Sequence, residues 1–395
     1  MVNSTAVGGG VAEILRRMVE LLRALDVDVE WEVMGGDDAF FEVTKAIHNG
    51  LHGRRVELTR EMREAYARRT ELEAGRLKLD GDIIMIHDPQ PAGLAALRRR
   101  PGQTWIWRCH IDLSGPDPEV WRFLEPEVLR HDATIFSASE FVQQLAIPSY
   151  VAPPSIDPFA DKNRELSREE TEEALKGLGV HGRTPLVSQV SRFDRLKDPV
   201  GVVQAFARVR RKTRAHLVLV GGSADDDPEG AAVLAETREA ARNVPDVTIL
   251  DLPNDSNVMI NAIQRESAVV LQKSLREGFA LTVSEALWKE RAVVASAVGG
   301  IPLQVLHGRT GMLVHSVDGA AYQILRLLEY PGLRRRLGVA GRKHVLRRFL
   351  LPRETRDYLA VAVSALARRT VIQGVSFDGV AGAYDSIGVS SRGVR

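Results

Sequence analysis

Short runs of β-branched and other apolar residues alternate along this chain with longer stretches whose apolar positions recur every three or four residues. The runs predict strands at 82–86, 104–109, 133–137, 186–190, 216–220, 247–250, 268–271, 292–296 and 311–314. Several are apolar at nearly every position, as parallel strands covered on both faces are. Helical periodicity falls between them, at 11–25, 119–130, 200–211, 231–243 and 281–289. This alternation predicts βαβ units and an α/β fold with doubly wound parallel sheets.

The series breaks at 152–183, where Pro153, Pro154 and Pro158 are followed by a charged helical stretch (164–178) and then by Gly179 and Gly182. It restarts at Leu186. Two Rossmann-like domains are therefore expected, 1–155 and 184–350, joined by a linker at 156–183, with a cleft between them. A helix at 351–370 follows, and then a Gly- and Ser-rich stretch, 371–395, that reads as a disordered tail. Residues 2–5 (Val-Asn-Ser-Thr) read as the end of a strand running into a turn, so most of the first strand of the N-terminal domain is expected to be missing. Neither an internal repeat nor a heptad run is present.

Composition narrows the function classes. The chain has 395 residues, 44% hydrophobic and 27% charged, with a net charge of +1. No global field favours nucleic acid or an anionic membrane. A single cysteine, Cys109, excludes an intrachain disulfide and fits a reducing cytoplasm. No apolar stretch approaches the ~20 residues needed to span a bilayer, and Gly8, Gly9, Gly10 and Glu13 interrupt any signal-peptide core. The basic clusters at 98–100, 208–214 and 334–336 read as solvated helix faces, without the aromatic interleaving of a nucleic-acid site.

Two runs carry the clearest chemistry, each at the end of a predicted strand. In Ser191-Arg192-Phe193-Asp194-Arg195-Leu196-Lys197-Asp198-Pro199, Asp198 and Pro199 are a helix start, and Arg192 and Lys197 suit a diphosphate. The same spacing also fits a solvated loop with two exposed cations. In Glu277-Gly278-Phe279-Ala280-Leu281-Thr282-Val283-Ser284-Glu285, two carboxylates suit two sets of sugar hydroxyls. Gly278 permits close backbone approach. Glu285 has a competing reading, because Thr282-x-x-Glu285 is a capping-box pattern. Gly8-Gly9-Gly10 opens a helix and could offer amides to phosphate, but is no complete dinucleotide fingerprint. His87-Asp88-Pro89-Gln90 and Cys109-His110-Ile111-Asp112 end strands in polar groups, where cleft residues belong. Cys109 itself reads as inert core. There is no metal-ligand spacing, so a divalent metal is not indicated, and no G-x-S-x-G elbow.

In these residues the chain resembles the retaining nucleotide-sugar glycosyltransferases of two Rossmann domains (GT-B), and more narrowly the trehalose synthases. The resemblance covers about residues 2–370. Its most specific parts are Val2-Asn3-Ser4-Thr5 with Gly8 to Glu13, Phe40-Phe41-Glu42-Val43-Thr44-Lys45 with His48-Asn49, His87 to Gln90, Trp107 to Asp112, and Val298-Gly299-Gly300-Ile301. It implies that Arg192 and Lys197 neutralise the donor diphosphate and that Glu285 holds the ribose. Glu277, with the amides of Gly278, Phe279, Ala280 and Leu281, would hold the donor glucose. The loop containing Gly9 and Gly10 would close on the phosphates, and His110 would lie near the reacting sugar. Arg192, Lys197, Glu277 and His110 form the implied catalytic set. Leu252 lies beside the donor, with backbone near 221–223 and 252–254 reading the base. The N-terminal domain would bind the acceptor through His87, Asp88, Gln90 and Asp112. The last helix would cross back to the first domain.

The implied reaction is reversible formation of α,α-trehalose from a nucleoside diphosphate glucose (UDP- or ADP-glucose) and free glucose, with no cofactor. A trehalose phosphorylase using phosphate and glucose 1-phosphate is the nearest alternative; a non-catalytic sugar-nucleotide binding protein is one of another class. The implied partners are small sugars, with neither nucleic acid nor membrane, and a homodimer is compatible. Two departures stand out. Ala280 occupies a position where the family usually has glycine, so a crowded glucose or an altered backbone angle is expected. The shortened first strand would expose neighbouring strand edges.

Overall fold

The computed structural model describes residues 1–6, 10–178, 184–222, 229–253 and 255–367. Gly8, Gly9, Gly179, Gly182, Ser223, Asn254 and the 371–395 stretch lie outside the described residues.

The N-terminal half runs β1 (Val2–Asn3), α1 (Gly10–Ala24), β2 (Glu32–Val33), α2 (Asp38–Leu51), α3 (Arg60–Arg76), β3 (Ile83–His87), α4 (Leu94–Arg98), β4 (Thr104–Arg108), α5 (Pro118–Val128), β5 (Ala133–Phe136) and β6 (Ser149–Val151). Its strands form a parallel sheet in the order β2-β1-β3-β4-β5-β6. Both faces are covered, so β4 is buried at all five positions, with Trp105 and Trp107 at its centre. The first strand, expected to be mostly missing, is present as two residues. Val2 pairs with Glu32 on one side and Ile86 on the other, which keeps β2 and β3 in one sheet. The adjoining backbone extends the pairing, with Glu32 N donating to Met1 O and Met34 N to Asn3 O.

The second half runs α6 (Arg168–Leu175), β7 (Leu186–Val190), α7 (Pro199–Arg210), β8 (His216–Gly221), α8 (Gly230–Ala241), β9 (Val247–Asp251), α9 (Asn257–Glu266), β10 (Ser267–Gln272), α10 (Leu281–Trp288), β11 (Ala292–Ser296), α11 (Ile301–Gln304), β12 (Met312–Val314), α12 (Val317–Glu329), α13 (Pro331–Arg348) and α14 (Leu351–Leu366). Its sheet is also parallel, ordered β12-β11-β10-β7-β8-β9. In each sheet the strand order reverses beside a central strand, the crevice where doubly wound folds bind ligands.

Helix α14 packs on the first half. Tyr358 and Val361 join a core cluster with Ile14, Met18 and Leu22 of α1. Below them Arg108 is fully buried. Its Nε donates to the Tyr358 hydroxyl at 2.8 Å, and its guanidinium also donates to the carbonyls of Cys109 (3.0 Å) and Ala152 (2.8 Å). Hydrogen bonds on all three nitrogens are what make a buried guanidinium tolerable. Cys109 is buried beside it, and burial raises its thiol pKa. Among the described residues, no helix is long and apolar enough to cross a membrane.

Candidate active site

β7 and β10 are neighbours, so the loops that follow them lie side by side at the carboxyl edge of the second sheet. Gln189, near the end of β7, stitches them together. Its Oε1 accepts from Lys273 N at 2.9 Å, and its Nε2 donates to Lys197 O at 3.0 Å. Leu275 N donates to Leu196 O at 2.7 Å. These bonds bring Lys197 to Glu277, and Lys197 Nζ donates to both carboxylate oxygens at 2.8 and 2.7 Å. Ser274 Oγ also donates to Glu277 Oε2, at 3.0 Å. Arg192 stands 3.5 Å from Asp194, which Lys45 of α2 approaches to 3.6 Å. Burial opposes the charge on Asp194, but Lys45 and Arg192 hold its pKa below the usual range.

Two helix N-termini face this edge, and they differ. Asp198 caps α7 from a left-handed conformation (φ +48°), its side chain accepting from Gly201 N and pairing with Lys273. The first turn of α7 therefore carries its own anion. Helix α10 starts after Ala280, also left-handed (φ +69°), and has no side-chain cap. Its first turn is open toward the cleft, as a helix N-terminus that receives an anion must be.

Glu285 does not cap α10. The helix begins at Leu281, so Thr282 is inside it, and the Thr282 hydroxyl donates to Gln272 Oε1 at 3.0 Å. Glu285 is buried beside Gln264, Lys162 and Lys289. Burial raises its pKa, against the pull of Lys162. Lys162 in turn donates to Glu13 of α1 at 2.6 Å, so this cation joins the two sides of the cleft.

The opposite wall comes from the first half. His87 and His110 stack with centroids 5.3 Å apart, and His87 Nδ1 lies 3.0 Å from His110 Nε2. Burial lowers both pKa values well below the ordinary range, so the pair is neutral and shares one proton between the facing nitrogens. Asp88, at φ +66°, accepts from His110 N at 2.7 Å through Oδ1. Burial lifts its pKa to about 6.

The cleft between the two walls encloses about 610 Å³, within the ~300–1,000 Å³ range of small-molecule sites. Arg192, Lys197, Leu252, Glu277, Gly278, Phe279, Ala280, Leu281 and Glu285 line it, with Gly10, Asp88, Gln90 and His110 opposite. Gly9 lies outside the described residues. Two expected acceptor residues stand behind the wall: His87 beneath His110, and Asp112, which accepts from Ser114 N at 2.9 Å and is 2% exposed. Phe279 also serves the core, packing on Phe349 at 5.5 Å.

The halves meet closely. A Cβ on Gly278 would sit 2.2 Å from the carbonyl oxygen of His110, and one on Gly10 would sit 3.2 Å from the Leu281 side chain. The glycine read as a place for ligand to approach is equally where one half approaches the other.

Glu13, Lys162, Arg276, His48 and His52 also line the cleft, and the sequence reading gave none of them a site role, although Glu13 and His48 fall in its motifs. The i, i+4 spacing of the two histidines is the signal that could have joined them. Lys162, inside a Pro-rich linker, carried no signal. Among the described residues, no group of three or more His, Cys, Asp or Glu is placed to hold a metal.

Two facing Rossmann-like units, with cations, a carboxylate and an open helix N-terminus across the cleft, define a GT-B glycosyltransferase. Residues 170–344 match the family "Glycosyl transferases group 1", and residues 1–143 match "Trehalose synthase, N-terminal domain". The chain is 42% identical to a trehalose synthase of Thermococcus litoralis, over 91% of this chain and 88% of that one. It is 30% identical to a trehalose phosphorylase of Pleurotus pulmonarius, over 87% of this chain but 54% of that one. Among solved structures, an alpha,alpha-trehalose-phosphate synthase (UDP-forming) from Burkholderia vietnamiensis superposes with a TM-score of 0.72 at 17% identity, covering 91% of this chain and 95% of that one. The chain belongs to the trehalose synthase family and is a trehalose-related glycosyltransferase.

Proposed function

We propose that the chain transfers glucose from a nucleoside diphosphate glucose to free glucose, forming α,α-trehalose with retention at the anomeric carbon. The observation that carries this reading is the convergence of Arg192, Lys197, Glu277 and the open start of α10 on one cleft, facing His110. In the cleft Lys197 neutralises Glu277. A donor diphosphate would compete for this ammonium and free Glu277 oxygens for sugar hydroxyls. Glu285 faces the place of the ribose, and Lys162 balances its charge.

The bond between the anomeric carbon and the leaving phosphate oxygen breaks as the bond to the acceptor oxygen forms. The acceptor's proton passes to the departing phosphate on the same face. A nucleophilic route needs two carboxyl groups about 5–5.5 Å apart, one free to attack. Glu277, the carboxylate beside the cations, keeps the Ser274 hydroxyl on Oε2 when the diphosphate draws Lys197 away, and the donor sugar's hydroxyls take the oxygens so freed. Catalysis then rests on positioning and on stabilising the charge of the leaving group. His110, held neutral, is suited to hydrogen-bond a donor sugar hydroxyl rather than to add charge.

Trehalose formation from glucose with UDP-, ADP- or GDP-glucose tests the reading. Arg192→Ala and Lys197→Ala each lower kcat by well over tenfold, and near-normal turnover in both would sink it. The relative named as a phosphorylase gives the second reading its support; activity with glucose 1-phosphate alone would favour it.

A further inference from the structure

Helix α2 places His48 and His52 one turn apart, with their rings edge to face at 4.6 Å. Both line the cleft, and His52 is 8% exposed. The Nδ1 atoms of both are buried without a hydrogen-bond partner. Leaving a buried polar atom unsatisfied costs about 1–3 kcal/mol, so two on adjacent turns need a reason. Core packing supplies none, because the buried apolar face of α2 is formed by Phe40, Val43, Ile47 and Leu51.

Their surroundings indicate what they face. Just past α2, a Cβ on Gly53 would lie 3.6 Å from Arg276 Nη2, so this end of the helix abuts the residue that precedes Glu277. Burial, together with Lys45, Arg192 and Lys197, lowers the His48 pKa to about 4. Burial, His48, Lys197 and Arg276 lower that of His52 as well. Both rings are therefore neutral, with one donor and one acceptor nitrogen each, which matches hydroxyls that donate and accept in turn. The nearby cations have carboxylates of their own: Lys45 is 3.6 Å from Asp194, and Arg276 is 3.8 Å from Asp112. A neutral hexose asks for no free cation at this end of α2, and its hydroxyls match the neutral rings. With His87 and Asp112 behind the wall, Asp88 and Gln90 are the expected acceptor residues still facing the cleft, and Gln90 Oε1 is also buried without a partner.

We propose that His48 and His52 form part of the acceptor subsite and hydrogen-bond hydroxyls of an incoming unphosphorylated hexose. The proposal rests on the glycosyltransferase reading of the cleft given above. The test uses the full chain and its His48→Ala, His52→Ala and doubly substituted forms, with His48→Gln and His52→Gln as conservative variants. Glucose binding is titrated in the presence of saturating UDP, and the glucose KM is measured alongside it. Each alanine weakens glucose binding three- to tenfold, the size of one neutral hydrogen bond, and the double variant by more than tenfold. The glutamine variants recover part of the loss. UDP affinity moves less than twofold, which separates loss of the subsite from loss of the fold. Unchanged glucose binding in a double variant that still binds UDP overturns the subsite and leaves the functional reading intact. A wild-type chain that binds glucose through the histidines but transfers nothing supports the subsite and overturns the functional reading.

Discussion

Replacing Gly278 with alanine would put a methyl carbon 2.2 Å from the carbonyl oxygen of His110. Carbon and oxygen in close contact stay about 3.3 Å apart, so the two backbones must part by roughly 1 Å. Neither side can yield by rotating a side chain, because the obstacle is backbone. Asp88 and Trp107 also fix the His110 segment from behind, through Asp88 Oδ1 at 2.7 Å from His110 N and Trp107 Nε1 at 2.9 Å from Asp88 O. The displacement therefore falls on the spacing between the halves. A misplacement of about 1 Å at a reacting centre costs on the order of 100-fold in rate, or about 2.7 kcal/mol of transition-state stabilisation. Gly278→Ala is expected to lower kcat/KM for trehalose formation by about that factor. Nucleoside diphosphate affinity, which the proposed function assigns to the second sheet and its loops, changes less than threefold, and the thermal midpoint moves by only a few degrees. Steady-state kinetics, calorimetric titration with UDP and a melting curve measure the three quantities. Turnover within threefold of wild type would refute the argument that this contact sets the working distance of the cleft.

Ala280→Gly relieves a left-handed residue at φ +69° and should stabilise the chain by about 1 kcal/mol in urea unfolding; a loss of stability would mean the methyl packs to more effect than its backbone strain. Glu285→Gln should raise the KM for the nucleotide donor about tenfold, the scale of one charged hydrogen bond, as donor-varied kinetics would reveal; a change in melting temperature alone would return Glu285 to a structural part. His131 is buried against Trp105, and burial lowers its pKa from 6.5 to about 4. A histidine with a depressed folded pKa gives stability that is whole above pH 6.5 and drains away as pH falls toward 4, at most about 3 kcal/mol for this group. His131→Gln should therefore flatten the stability-versus-pH curve between pH 6.5 and 4, and an unchanged slope in urea titrations would contradict the assignment.

Strands buried on both faces were legible because runs such as Trp105-Ile106-Trp107 are apolar whichever way they point. β2 and β6 were not, since two or three residues beside Glu30 and Trp31, or between Pro148 and Pro153, show no period. The second-sheet wall of the cleft was legible because its residues are contiguous at strand ends. The opposite wall was less so. Strand-end position alone could not tell that His110 faces the cleft while His87 lies beneath it, because one ring covers the other. The Thr282–Glu285 capping pattern fitted the sequence, yet Ala280 turns left-handed and starts the helix two residues too early for Thr282 to be the cap.

The buried Arg108 has a consequence for synthesis. Its surroundings are completed by Tyr358 and by Glu354 at 4.0 Å, both on α14. A ribosome adding about 5–20 residues per second needs on the order of 10 to 40 s to go from Val151 to Leu366. Throughout that interval the first half has all its strands but lacks the helix that covers Arg108, Ile135 and Tyr150. The half translated first is thus the last to be finished. A chain interrupted within the second half would leave an apolar face and a guanidinium open on the first, a form that chaperones would be expected to hold.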